Sequence, residues 1–87
     1  MLYRKKELGE KAHRLLKDEV FKESIDNLKQ KYLDSLVETK RLDVEGREYL
    51  YKSVRLIDEI IYHLGLILED GKIAAKEIEY LKKGGRK

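Results

Sequence analysis

The chain has 87 residues, no cysteine and no proline, and 43% of it is charged, with twenty basic against seventeen acidic side chains. That length is one domain, and the missing thiols exclude disulfides and thiolate metal sites together. So small a domain buries only roughly 60–65% of the surface its unfolded chain exposes, which leaves oligomerisation as the supplement to a marginal core.

Met1-Leu2-Tyr3 is followed by Arg4, Lys5 and Lys6 with no apolar run behind the charges, so the secretory pattern of a basic and then a greasy stretch is missing. A first helix is expected over about 3–17. Leu8, Ala12, Leu15 and Leu16 share one face of it and Lys5, Lys6, Lys11, Arg14 and Lys17 line the rest. Gly9 weakens this helix by about 1 kcal/mol relative to alanine, so fraying of its first turns is expected. His13 lies beside the apolar stripe as a packing or surface residue.

Asp18 precedes a fresh apolar run, Phe21, Ile25, Leu28, Tyr32 and Leu36, whose phase does not continue from Leu15 and Leu16. This predicts a kink at Lys17–Asp18, with Asp18 as N-cap and Glu19 at the positive end of the new helix dipole. The second helix is expected over about 19–39. Periodicity lapses from Thr39 to Asp43, and Asp43 is a good N-cap, so a short connection makes the second and third helices antiparallel neighbours.

The third helix, about 44–70, carries Leu50, Val54, Ile57, Ile61, Leu64 and Leu68 at spacings of four and three. From Ile60 to Leu68 it is uncharged and apolar on every side, which asks for more cover than one neighbouring helix supplies. Gly65 is either an incidental weak spot or a point of close helix approach. Asp70-Gly71 reads as a helix stop, with Gly71 in the left-handed C′ position. A short last helix is expected over 72–83, with 84–87 as a disordered tail. The fold class is thus all-α: an antiparallel hairpin of two long helices with a short N-terminal and a short C-terminal helix, in one domain over 1–83.

Charge is unevenly placed. Residues 1–17 and 72–87 each carry six basic and two acidic groups, while 18–71 carry eight basic and thirteen acidic. The basic ends either complement acidic faces of the same or a second chain, or touch nucleic-acid phosphates through Arg4, Lys5, Lys6, Lys82, Lys83, Arg86 and Lys87.

Chemistry-bearing patterns are sparse. No glycine-rich phosphate loop is present, and Ser24, Ser35 and Ser53 have no evident base beside them. Glu59 and His63 stand at i and i+4, a spacing that could place two ligands on one metal, but with one other His in the chain the pair reads as a surface hydrogen bond. Arg55-Leu56-Ile57-Asp58-Glu59-Ile60 is similar to the opening helix of the helical chorismate mutases. That site, however, needs inward-facing Arg and Lys, and Leu66, Ile67 and Leu68 stand where an Arg would follow. No catalytic residue, metal or cofactor is assigned. Six tyrosines against one phenylalanine suit contact positions with one wet edge.

The run Ala12-His13-Arg14-Leu15-Leu16-Lys17-Asp18-Glu19-Val20-Phe21, with Tyr32, Gly46-Arg47-Glu48, Leu64 and Asp70-Gly71-Lys72-Ile73-Ala74, resembles a group of short helical proteins encoded by tailed bacteriophages near packaging and virion genes. The resemblance spans roughly residues 10–75 and implies an accessory or assembly role. The longest uncharged stretch, nine residues, falls short of the ~20 that span a bilayer, so a soluble protein of the cytoplasm (the host's, if phage-encoded) is expected. The expected function is a non-enzymatic interaction protein that forms homo-oligomers through Leu50, Val54, Ile57, Ile60, Ile61, Leu64, Gly65 and Leu68. A further phage or host protein is a possible partner. The alternative is a DNA-binding packaging component similar to a small terminase subunit, using the basic termini.

Overall fold

A computed structural model describes residues 1–40 and 43–84. Among these residues three helices follow one another: α1, Leu2–Lys17; α2, Glu19–Glu38; and α3, Val44–Lys82. Laid end to end, the 16 residues of α1 and the 20 of α2 match the 39 of α3. The first two helices run back along the third, α1 against its C-terminal half and α2 against its N-terminal half. The contact of α1 with α3 is the broader one. The result is a rod of 65 × 24 × 18 Å.

The starts of α2 and α3 follow from their aspartates. The Phe21 N–H donates to Asp18 Oδ1 at 2.7 Å, and the Gly46 N–H to Asp43 Oδ1 at 3.0 Å. Each carboxylate satisfies one orphan donor of a first turn, with Glu19 or Glu45 beside it at the positive end of the dipole. Asp18 itself is extended (φ −64°, ψ 128°), which breaks α1 from α2 at the expected place.

The third helix corrects the expected layout. The chain does not stop at Asp70-Gly71; it continues as one helix to Lys82, so there is no separate short C-terminal helix. Gly71 keeps helical backbone, and the single positive-φ residue among those described is Gly84 (φ 98°), just past the true end. What Gly71 does is pack. It lies against Gly9 of α1, so close that a Cβ built on either would fall 2.6 Å from the other's Cα. Lys5 O would stand 3.1 Å from the Gly71 Cβ, and Ile67 O 3.3 Å from that of Gly9. Two helix backbones approach this far only where neither carries a side chain. Gly9 is itself buried at this crossing. At Gly65, read as either a weak spot or a point of close approach, nothing lies within 4 Å of a built Cβ in the single chain. The expected tail at 84–87 lies outside the described residues, save Gly84.

The core is thin. Among the described residues Ala12, Ile57, Ala74 and Ile78 are its buried hydrophobic side chains, and no large side chain is fully enclosed. Along α2 no residue is buried; Phe21, Ile25, Tyr32 and Leu36 are half-covered.

Candidate interaction surface

Where α1 and α2 lie on α3, the inward stripe of α3 is used within the chain. Ile57 is buried, and Leu50, Val54, Ile61, Leu64, Gly65 and Leu68 are half-covered. Of the residues marked for self-association, Ile60 alone is largely open, at 48% exposure.

Ile60 belongs to a second series beside the first. Tyr49, Ser53, Leu56, Ile60, His63 and Ile67 repeat at four and three residues, the spacing of a helix stripe. Leu56 is 58% exposed, Ile67 39% and Tyr49 65%. At 100° per residue, Leu56, Ile60 and Ile67 stand on the flank of α3 opposite Asp58. On Asp58's flank, Lys29 Nζ of α2 donates to Asp58 Oδ1 at 2.7 Å, the ion pair that joins two helices among the described residues. Both side chains there are substantially solvated, so it contributes at most about 1 kcal/mol. The two flanks of α3 thus differ: one carries this bridge, and the other carries the exposed Leu56, Ile60 and Ile67. Leu8 and Leu15, seven residues apart on α1, and Leu28 on α2 turn toward the aliphatic side and are also exposed.

The same antiparallel packing gathers charge. One half of the rod, residues 1–17 with 62–84, holds ten basic and six acidic side chains; the other, 18–40 with 43–61, holds seven basic and eleven acidic. Of the termini's cations, Arg4, Lys6 and Lys83 pair with Glu7, Glu10 and Glu79 on their own helices. Among the described residues Lys5 and Lys82 make no such pair. Arg86 and Lys87 lie outside the described residues.

The remaining features are small. Arg55 Nη1 donates to Tyr51 Oη at 3.3 Å, and that hydrogen bond raises the guanidinium pKa further above its ordinary value, leaving a fixed positive charge. Shallow grooves run beside the Gly9–Gly71 crossing, lined by Lys6, His13 and Leu68, and at the α1–α2 break, lined by Phe21, Ile25 and Ile61. Among the described residues no polar or charged side chain is buried, and no three His, Cys, Asp or Glu gather as metal ligands. Glu59 and His63 therefore have no third ligand near them. None of the described helices is long and apolar enough to cross a membrane.

Comparison of the chain with protein-family models, with curated proteins and with solved structures finds no match.

Proposed function

We propose that the protein is a non-enzymatic, self-associating helical interaction protein that works through the exposed aliphatic stripe of α3. An accessory or assembly role agrees with its resemblance to short phage proteins. The supporting observation is surface. The rod exposes 7462 Å², against roughly 5,400 Å² for a compact monomer of its 10.3 kDa mass. Its radius of gyration is 19.1 Å, against about 12 Å for a compact chain of this length. Part of what it exposes is the aliphatic series Leu56, Ile60 and Ile67 along one flank of α3, and exposed apolar residues gathered in this way mark contact surfaces.

Sedimentation equilibrium at tens of micromolar should give a multiple of the chain mass. The double variant Ile60→Glu/Ile67→Glu should return the monomer mass with its helicity kept, because both side chains are exposed in the single chain. A well-folded wild-type monomer at that concentration would end this reading.

A second reading, a nucleic-acid-binding packaging component similar to a small terminase subunit, is favoured by one observation: the two basic termini lie together at one end of the rod. It expects DNA affinity that falls steeply between low and physiological salt. An equal affinity after truncation of residues 1–7 and 82–87 would remove it.

A further inference from the structure

The stripe and the charge distribution together specify how a second copy sits. We infer that two rods pack side by side and antiparallel on the face carrying Leu15, Leu56, Ile60 and Ile67, each basic half lying on the other's acidic half. This rests on the self-association proposed above and adds its geometry.

Charge decides the direction. Among the described residues one half of the rod carries a formal +4 and the other −4, counting Lys and Arg against Asp and Glu. Parallel packing would lay +4 on +4 and −4 on −4 along the full length of both rods. Antiparallel packing opposes unlike charge at both ends, and side-by-side helices 8–10 Å apart lie within about one Debye length at 0.1 M salt, so the preference is felt.

The stripe agrees. Its aliphatic residues lie near the middle of α3, close to the α1–α2 break beside Ile61, where the basic α1 gives way to the acidic α2. A two-fold axis near His63 sets Ile60 of one copy near Ile67 of the other and overlaps the rods fully. Such an isologous pair uses the same face of both copies and closes without leaving the stripe free for a third. One long side of a 65 Å rod exceeds the roughly 800 Å² per partner of a standard interface.

The chain has no cysteine, so single thiols can be placed cleanly. Lys52→Cys and Glu77→Cys lie on one flank of α3 at similar distances from the axis, outside the aliphatic stripe, and neither substitution lessens the charge asymmetry. Spin labels at both sites, read by pulsed dipolar spectroscopy, should each give a same-site distance near 40 Å, about 25 residues of helix rise. A one-to-one mixture of the two labelled proteins should add a distance below about 25 Å, the label reach across adjacent helices 8–10 Å apart. A dimer with short same-site distances and a long mixed distance is parallel and overturns this arrangement while sparing self-association. A dimer in which same-site and mixed distances are all long overturns it as well. A monomer removes both.

Discussion

Gly71→Ala should lower the melting temperature by about 10–20 °C, although the same change at an ordinary helical site stabilises by about 1 kcal/mol. The sign inverts because the new methyl would meet the Gly9 Cα at 2.6 Å, with Lys5 O at 3.1 Å, and both are backbone atoms of another helix. Backbone cannot swing aside as a side chain can, so α1 must be pushed off α3 at the place where they touch most closely. Overpacking of this kind costs about 1–3 kcal/mol, and a main-chain clash belongs at the upper end. For a domain of this size each kcal/mol moves the transition by roughly 4–8 °C. Gly65→Ala is the internal control. Its Cβ meets nothing within 4 Å, so its melting temperature should rise by a few degrees through helix propensity alone. Circular dichroism melts at one fixed protein concentration make the comparison, since association also shifts the transition. A Gly71→Ala protein that melts at or above wild type would refute the close crossing.

Ile57→Asp should leave the chain largely unfolded at 25 °C, whereas Ile60→Asp should keep a wild-type helical spectrum in the dissociated chain. The two positions are three apart in sequence, but Ile57 is 5% exposed and Ile60 48%. A carboxylate at Ile57 would be buried where, among the described residues, no buried polar group waits to receive it. An unpaired buried charge costs about 3–5 kcal/mol, comparable with the roughly 4–13 kcal/mol total stability expected for 87 residues. With four buried hydrophobic side chains in the core among the described residues, the low end of that range applies. Far-UV dichroism in urea reads both variants, and equal midpoints for the two would show that Ile57 is not interior.

Much of this fold is legible in the chain. Asp18 and Asp43 announce helix starts because an acceptor side chain just before an apolar run has first-turn N–H groups to receive, and both cap as expected. The stripe from Leu50 to Leu68 reveals which side of α3 turns inward. The glycines are where local reasoning fails. After Asp70, Gly71 has the look of a C-cap, but a C-cap needs a left-handed backbone, and the long-range contact with Gly9 holds Gly71 helical instead. A usable signal was present in the small residues at helical spacing, Gly9 with Ala12 and Gly71 with Ala74 and Ala75. Matching small faces let two helices close up, and neither face is informative without the other. The exposed stripe of Leu56, Ile60 and Ile67 was present as a second 4-3 series. It is masked in the sequence because the run from Ile60 to Leu68 is apolar on all sides, so which part stays uncovered depends on where α1 and α2 land.

The Gly9–Gly71 crossing also bears on sliding. A helical hairpin held by evenly repeating apolar stripes has neighbouring alignments, one turn of about 5.4 Å apart, that differ little in buried area. Here a slip by one turn would carry Lys5 or His13, each with a Cβ, into the gap that only a hydrogen atom fits. The two glycines therefore act as an index notch, and the rod has one setting. Because α1 cannot ratchet along α3, the boundary between its positive and negative halves and the height of its aliphatic ridge are fixed by two residues that have no side chains at all.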